Sequence, residues 1–302
     1  MTLEVDIGGL KLKNPVIAAS GTFGYGLDYK DAVDLDKLGG IVVKGLSLYP
    51  STGNPEPRVV ETPCGLLNAV GLENIGINRF VSDKLPLLKE VDTNIFMNIY
   101  GGRAEEYAGL ASIADGLDGI CGIEVNISCP NVEKGGAAFG TDPEQAYQVV
   151  RKVRQATGKH VMVKLSPNVT DIAKIAVSAE KAGADSVSLI NTLTGLAVDA
   201  DTGRPVLANV TGGLSGPAVK PVALRMVYET AQAVSIPVIG VGGIMTARDA
   251  AEFMIAGASA VQVGTATLTD PGSMIRIIQG LEKFKRKKRI SRISDIRGSL
   301  KV

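Results

Sequence analysis

The sequence has no tryptophan, one histidine and only three cysteines among its 302 residues. Cys64, Cys121 and Cys129 have no metal-ligand spacing, so we expect no metal site, and their odd number argues against a disulfide framework. Aromatic residues make up only 4% of the chain, and its 36 glycines are spread along it instead of clustering. These features exclude a low-complexity or fibrous protein and favour a compact enzyme in a reducing, cytoplasmic compartment.

The sequence also lacks an excess of charge of one sign. Its 32 basic and 31 acidic residues leave a net charge of +1, so no overall field favours nucleic acid or an anionic membrane. No apolar run approaches the roughly 18 to 20 residues that span a bilayer, and the N-terminus lacks the apolar core of a signal peptide. We therefore expect a soluble protein. The basic run LEKFKRKKRISR indicates a solvated helix end, with subunit docking as the alternative.

The chain repeats one theme, in which a short apolar run is followed by a polar or glycine-rich loop and an amphipathic helix. Near-continuous apolar strands indicate a parallel sheet buried on both faces. Length and strand count favour a closed (β/α)₈ TIM barrel, as one domain over residues 1–302, over an open doubly wound sheet. The eight strand candidates are 14–20, 39–45, 93–99, 122–128, 160–166, 185–191, 236–242 and 260–266.

Threonine and glycine mark the ends of several predicted helices. Three helices are predicted to start at a threonine and to stop at a glycine, over 141–158, 170–183 and 246–257. The first opens with a capping pattern that runs from Thr141 to Glu144. These signals set the boundaries of the helical layer around the strands.

Two segments lie outside this repeat. Residues 3–15 are predicted to form a small N-terminal hairpin that closes the bottom of the barrel. The stretch from Ser47 to Ile75, after the second strand, is too long for a plain loop between strand and helix. Long insertions of this kind are more often functional than idle, so we expect it to contribute to the site.

In such barrels the active site lies at the carboxyl ends of the strands. The only histidine, His160, begins strand five, roughly 15 Å from that face, so we assign it a structural role, which removes the commonest general base. Six polar side chains in register, followed by glycine pairs, are hard to explain by packing. The strand ends hold Ser20, Lys44, Asn98, Asn126, Lys164, Asn191, Gly242, Gly243, Gly264 and Thr265.

The loops after strands seven and eight predict a phosphate site. VGGIMTARDA supplies two glycines and a threonine-led helix, and VGTATL follows strand eight. A phosphorylated ligand is therefore expected. An aldolase would use Lys44 or Lys164 as a Schiff base, whereas a flavin mononucleotide enzyme would use the lysine as a fixed positive charge near flavin N1. Lysine position alone does not separate these two functions.

Eight motifs, in order along the chain, resemble those of class 1 dihydroorotate dehydrogenases. PRVVETPCGLLNAVGLEN resembles the NAD-linked type B form more than the fumarate-linked form. The resemblance covers essentially the whole chain. The motifs are PVIAASGTFGYG, KGLSLYPSTGNPEPRVVETPCGLLNAVGLEN, NISCPNV, VKLSPN, NTLTG, GGLSGPAVKP, GVGGIMTARDA and VQVGTA.

The resemblance implies an FMN-dependent oxidation of (S)-dihydroorotate to orotate in pyrimidine biosynthesis. The residues that would hold FMN are Ser20, Lys44, Gly45, Asn98, Asn126, Lys164, Ile190, Gly216, Gly242, Gly243, Gly264 and Thr265. The residues that would contact the substrate are Lys44, Asn68, Ala69, Val70, Gly71, Leu72, Asn126, Asn191 and Thr192.

Cys129 in NISCPNV matches the position of the family's catalytic base. Asparagine amides suit the amide edges of the orotate ring, and Lys44 can offset its carboxylate. Oxidation removes a hydride from C6, which FMN N5 accepts, and a proton from C5. With histidine excluded, Cys129 is the natural acceptor of that proton. Cys64 and Cys121 are expected to be small buried thiols.

The chain has no G-x-G-x-x-G motif opening a βαβ unit, and its cysteines do not match an iron–sulfur pattern. The type B resemblance therefore implies a partner subunit that carries FAD and a [2Fe–2S] cluster and passes electrons to NAD⁺. We expect a heterotetramer of two barrels and two such subunits around a barrel homodimer. A serine base and an N-terminal helical extension mark the membrane-linked class 2 enzymes, which we reject because this chain has cysteine and starts almost at the barrel.

Three alternatives remain open. One is a phosphosugar lyase or aldolase, and another is a non-catalytic barrel that binds a phosphorylated ligand. The nearest is a fumarate-linked dihydroorotate dehydrogenase or a flavoenzyme similar to dihydropyrimidine dehydrogenase. The substrate and the electron acceptor would distinguish the last group.

Overall fold

A computed structural model of the chain describes residues 3–128 and 139–301. Eight parallel strands close into a barrel, each hydrogen-bonded to the next along the chain and the last to the first. All eight fall inside the predicted ranges, so the predicted (β/α)₈ barrel is confirmed. The barrel strands are Val16–Ala18, Gly40–Val42, Asn94–Ile99, Gly122–Asn126, His160–Lys164, Ser186–Leu189, Val238–Val241 and Ala260–Val263.

The strands are buried on both faces, as their continuous apolar sequences predict. Ile41, Phe96 and Val261 are fully buried, and burying such a side chain stabilises the fold by about 1.5–3 kcal/mol. Helices cover the outside of the barrel. The α-helices are Gly76–Arg79, Leu85–Leu88, Ala104–Asp115, Pro143–Ala156, Ile172–Lys181, Lys220–Ala233, Ala247–Ala256, Ala266–Thr269 and Ser273–Lys288, and a π-helical turn, Phe80–Lys84, joins the first two.

The helix starts differ in part from those predicted. Ala247–Ala256 begins as expected, with Thr246 and Asp249 forming a reciprocal capping box. Thr141 and Thr170 are not the capping residues of their helices. The aspartate after each threonine takes that place, because its carboxylate accepts a backbone N–H three residues later, as Asp142 does from Gln145 at 2.8 Å.

The connection between the first and second strands contains 3₁₀ turns, Leu27–Tyr29 and Leu35–Lys37, in place of an α-helix. Gly24 and Gly26 adopt positive φ of 52° and 88°, a conformation that breaks a right-handed helix. The first repeat is therefore less regular than the others. Two further 3₁₀ turns are Pro217–Val219 and Ile293–Ile296.

The N-terminal hairpin closes the lower end of the barrel, as predicted. Its strands, Val5–Asp6 and Lys11–Leu12, are antiparallel. The turn lies so close to the start of the sixth barrel strand that a Cβ on Gly8 would be 2.4 Å from the carbonyl oxygen of Asp185. The close approach explains why glycine occupies this position.

The long segment after the second strand forms a hairpin, Val59–Thr62 and Gly65–Asn68. This hairpin pairs with a second insertion, residues 193–215 after the sixth barrel strand, that the sequence did not predict. Leu193–Leu196 and Thr211–Ser215 complete a four-stranded antiparallel sheet with it. A two-stranded ribbon, Val198–Asp199 with Arg204–Pro205, lies within the same insertion.

His160 begins the fifth strand, so it lies at the end of the barrel opposite the carboxyl ends of the strands. Its Nε2 atom is 2.8 Å from Ser186 Oγ, and its ring meets the Phe96 ring edge-on at 6.2 Å. The side chain is buried among the lower barrel residues. Its position agrees with the structural role expected from the sequence.

His160→Gln is expected to flatten the acid side of the stability profile. Burial lowers the pKa of His160 below its ordinary value of 6.5, although Asp185 opposes the shift. The unfolded chain therefore binds this proton more readily, and the free energy of unfolding falls as pH drops below about 6.5, by at most about 1.4 kcal/mol per pH unit. Melting temperatures measured from about pH 5 to 7.5 check this. An unchanged pH slope in the variant would contradict it.

Across residues 3–128 and 139–301, no helix combines the length and the apolar character needed to cross a membrane. Within the same residues, no cluster of three or more histidine, cysteine, aspartate or glutamate side chains is placed to hold a metal ion.

Candidate active site

A cavity of about 760 Å³ opens at the carboxyl ends of the barrel strands. Cys129 lies outside the described residues. The other residues predicted to hold the cofactor or substrate, from Ser20 to Thr265, all line this cavity. The structure thus brings together side chains that are far apart in the sequence, while their individual roles stay predictions.

Glycine backbones form one end of the cavity. Gly216 and Gly243 have φ of 93° and 69°, and a Cβ on Gly243 would be only 2.8 Å from the carbonyl oxygen of Gly216. The loops after the sixth and seventh strands therefore touch through their backbones, and side chains would separate them. The Thr265 hydroxyl, after the eighth strand, donates a 2.9 Å hydrogen bond to Ser215 Oγ and connects the third loop to the other two.

The helix that follows strand seven is capped by its own side chains. The Asp249 carboxylate accepts hydrogen bonds from the backbone N–H groups of Met245 and Thr246, at 3.1 and 2.8 Å. The negative charge of this carboxylate disfavours a second anion at the helix N-terminus, so the glycine loops are the better contact for an anion at this end of the cavity. Lys220, at the start of the preceding helix, forms ion pairs with Asp249 and Glu252 and joins the two helices.

Asn98 and Lys164 form part of the cavity floor. Asn98 is buried, and its Nδ2 donates to Glu124 at 2.6 Å. Its Oδ1 is buried with no hydrogen-bond partner among the described residues. Because a buried acceptor without a partner destabilises a fold by about 1–3 kcal/mol, the unpaired Oδ1 favours a bound molecule that donates a hydrogen bond here.

A charged cluster lies at the opposite end of the cavity. The Lys44 Nζ atom is 3.6 Å from Glu73 Oε2, and Arg58 Nη2 lies 2.9 Å from the same oxygen. Lys44 was predicted from the sequence, whereas Glu73 and Arg58 were not, although both lie in the motif that carries the resemblance. Two cations around one half-exposed carboxylate can also accept the carboxylate of a ligand.

Ser128 joins two of the predicted asparagines. Its hydroxyl donates to Asn126 Oδ1 at 2.6 Å and accepts from Asn191 Nδ2. The ends of the fourth and sixth strands are thereby held together. Sequence reasoning missed Ser128, and its position directly before Cys129 in NISCPNV was the available signal.

Asn74 and Tyr100 fix the loop predicted to contact the substrate. Both Asn74 Nδ2 and the Tyr100 hydroxyl donate to the Leu72 carbonyl at 2.9 Å. Leu72 has a positive φ of 58°, unusual for a residue with a side chain. The two hydrogen bonds hold the loop in this conformation, and neither donor was selected from the sequence.

The two described cysteines differ from each other. Cys64 is exposed at the turn of the hairpin between Thr62 and Gly65, so the expectation of a buried thiol was wrong there. The Cys64 carbonyl accepts a hydrogen bond from Ala218 N at 2.9 Å, so the backbone of the turn is packed while the residue stays exposed. Cys121 precedes the fourth strand, donates to the Ile95 carbonyl at 3.0 Å, and has its pKa raised by burial to about 12. It therefore stays a protonated thiol.

Polar side chains and glycine loops around a ligand-sized cavity, at the carboxyl ends of a closed parallel sheet, define an α/β-barrel enzyme. Residues 2–284 match the family model described as dihydroorotate dehydrogenase, and the chain belongs to that family. The resemblance seen in the sequence is thus confirmed.

Curated relatives of nearly the same length match the whole chain. The chain is 56% identical over 300 residues to the dihydroorotate dehydrogenase B (NAD(+)) catalytic subunit of Geotalea daltonii, covering 99% of this chain and 98% of that protein. It is 55% identical over 302 residues to the protein of the same name from Thermoanaerobacter pseudethanolicus, covering 100% of each.

Proposed function

We propose that this chain is the FMN-dependent catalytic subunit of an NAD-linked dihydroorotate dehydrogenase, which oxidises (S)-dihydroorotate to orotate in pyrimidine biosynthesis. FMN and substrate would share one domain spanning residues 1–302. One observation carries the proposal: Lys44, Asn98, Asn126, Lys164 and Asn191 converge on one cavity whose other wall is built from glycine loops. The family membership and the names of the relatives support the same reaction.

The residues of the cavity fit FMN in size and chemistry. A volume of about 760 Å³ suits a ligand of this size. Gly216, Gly242 and Gly243 all line the cavity and suit the phosphate, because glycine lets an anion approach the backbone N–H groups closely. The unpaired Oδ1 of Asn98 suits a donor on the flavin ring.

FMN supplies a hydride acceptor at N5 when bound. Lys164, on the cavity floor, would present its ammonium group to the flavin, and Lys44, which also lines the cavity, would pair with the substrate carboxylate. Asn126 and Asn191 would present their amides to the edges of the pyrimidine ring, and the hydrogen bonds of Ser128 to both amides support this orientation. Cys129 accepts the proton from C5 in this proposal.

Electron transfer to NAD⁺ requires a partner in this proposal. The sequence has no dinucleotide motif of the G-x-G-x-x-G type. The relatives carry the words "catalytic subunit" and "NAD(+)" in their names, which supports a second subunit. We assign FAD and a [2Fe–2S] cluster to it, in a cytoplasmic heterotetramer of two barrels and two partners around a barrel homodimer.

The visible spectrum of the purified chain, recorded without oxygen before and after addition of dihydroorotate, tests this function. A flavin band that bleaches is the expected result. A flavin that stays oxidised would contradict the substrate assignment. A colourless protein after reconstitution with FMN, trapped on a lysine by borohydride with a phosphosugar, would support the aldolase alternative instead.

Gly243→Ala is expected to raise the dissociation constant for FMN at least about tenfold. The added Cβ would meet Gly216 O at 2.8 Å and Lys220 N at 3.0 Å, so the two loops must separate. Gly203→Ala is the matched control, because Gly203 also has a positive φ, 66°, but no atom lies within 4 Å of its added Cβ. Fluorescence titration with FMN measures both. Equal effects would assign the loss to backbone strain and contradict the crowding argument.

A further inference from the structure

Glu124 lies inside the barrel, directly below residues of the cavity floor, and its side chain is fully buried. Three neighbours hydrogen-bond to its carboxylate: Asn98 Nδ2 donates to Oε2 at 2.6 Å, and Ser188 Oγ and Gln262 Nε2 donate to Oε1 at 2.9 and 2.6 Å. These contacts connect the third, fourth, sixth and eighth strands. Neither the predicted site nor the family motifs gave Glu124 a role.

Lys164 is the ion-pair partner of this carboxylate. Its Nζ atom lies 3.8 Å from Glu124 Oε2, and the two side chains are 7% and 0% exposed. The same Nζ is 3.3 Å from Gln262 Oε1, so Gln262 bridges the two charged groups through its amide. Lys164 and Asn98 line the cavity, whereas Glu124 and Gln262 lie behind them.

A buried ion pair of this kind contributes little to stability, because desolvation of both charges offsets their attraction. Its electrostatic effect on a neighbouring group is large, however, because the barrel interior screens charge poorly compared with water. The Lys164 charge faces the cavity, and the Glu124 charge behind it cancels much of its field. The pair therefore leaves the floor close to neutral while keeping an ammonium group available for hydrogen bonding.

We propose that Glu124 is a positioning residue that orients Lys164 and Asn98 and, by offsetting the Lys164 charge, sets the redox potential of FMN in the cavity. The proposal rests on the FMN function proposed above. Reduced FMN is an anion at N1, so a more positive floor favours the reduced form and a more negative floor favours the oxidised form. Glu124 thus keeps the flavin potential lower than Lys164 alone would set it.

The test compares the two-electron midpoint potential of bound FMN in the wild type and three variants. Glu124→Gln removes the negative charge with little change of shape, and we expect reduced FMN to gain at least tenfold in affinity relative to oxidised FMN, a rise of about 30 mV. Lys164→Gln is expected to shift the potential downwards. The double variant, with neither charge, is expected between the two single variants. Spectroelectrochemical titration at saturating FMN measures all four.

Ser188→Ala is the matched control, because it removes one hydrogen bond to the same carboxylate without changing the charge. An unchanged potential in Ser188→Ala is expected. Equal potentials in Glu124→Gln and the wild type would overturn the inference, as would a shift of the same size in Ser188→Ala. If Glu124→Gln fails to fold because Lys164 is left unpaired, Lys164→Gln and the double variant decide the matter. A double variant with no higher potential than Lys164→Gln would overturn it.

The two proposals fail in different ways. A wild-type chain that binds no FMN would overturn both. A wild-type chain that binds FMN and is bleached by dihydroorotate, together with a Glu124→Gln variant of unchanged potential, would overturn only the role of Glu124.

Discussion

Replacing Cys129 by alanine is expected to slow the reduction of bound FMN by dihydroorotate about 10²–10⁴-fold while FMN stays bound. The thiolate would take the C5 proton, and alanine offers no group to replace it. The only histidine of the chain lies at the opposite end of the barrel, hydrogen-bonded to Ser186, so it cannot substitute. Anaerobic stopped-flow measurement of flavin bleaching gives the rate.

The two other cysteines are controls for this prediction. Cys64→Ala alters an exposed thiol, and Cys121→Ala alters a thiol whose pKa burial raises to about 12. Both are expected to reduce FMN at the wild-type rate. A free thiol is only a few per cent ionised at pH 7, so the rate for the wild type should also rise with pH. Bleaching at the wild-type rate in Cys129→Ala would remove the cysteine from the mechanism.

Lys44→Met is expected to lower the ratio of the bleaching rate to the dissociation constant for dihydroorotate by about 10²–10³-fold. Loss of one member of a partly buried charge pair with the substrate carboxylate typically costs about 2–5 kcal/mol. The Lys44 side chain is 27% exposed and its Nζ atom lies 3.6 Å from Glu73 Oε2 in the cavity. In the variant, water can therefore replace only part of its interaction with the substrate carboxylate. Stopped-flow titration with substrate separates binding from chemistry.

Glu73→Gln tests the same charge cluster from the side of its carboxylate. Glu73 pairs with both Lys44 and Arg58, so its carboxylate competes with a substrate carboxylate for the same cations. Removing its charge is expected to tighten dihydroorotate binding, the opposite of the Lys44→Met result. Lys174→Met is the control, at a lysine whose side chain is 75% exposed. It is expected to change neither the dissociation constant for dihydroorotate nor the bleaching rate. Weaker binding in Glu73→Gln would show that Glu73 orients Lys44 instead of competing with the substrate.

Local sequence signals predicted the barrel because they act within one strand or helix. The apolar runs that became Asn94–Ile99 and Gly122–Asn126 are continuous, and a strand buried on both faces requires that pattern. Thr246 and Asp249 lie three residues apart, so their capping box was visible in the sequence. Where two capping residues were adjacent, the prediction of Thr141 was wrong and Asp142 caps the helix, because both residue types give the same local signal.

The site was predicted only in part, for a related reason. Lys44, Asn98 and Lys164 were found because they end apolar strands, and the glycine loops because they follow strands seven and eight. The insertion from Leu193 to Ser215 was missed, because its strands are short and rich in glycine and pair with a hairpin that is distant in the sequence.

The sequence by itself determined the number and order of the strands, the residue types at their ends and, through motifs in register, the family. Only the tertiary structure decided which side chains act on one another. Asn68 bonds to Gly213 across 145 positions, and Gln262 bonds to Glu124 across 138. The period of a strand fixes which face a side chain lies on, but closure of the barrel fixes its neighbour. Glu124 was therefore one more buried strand residue until the closed sheet placed it against Lys164.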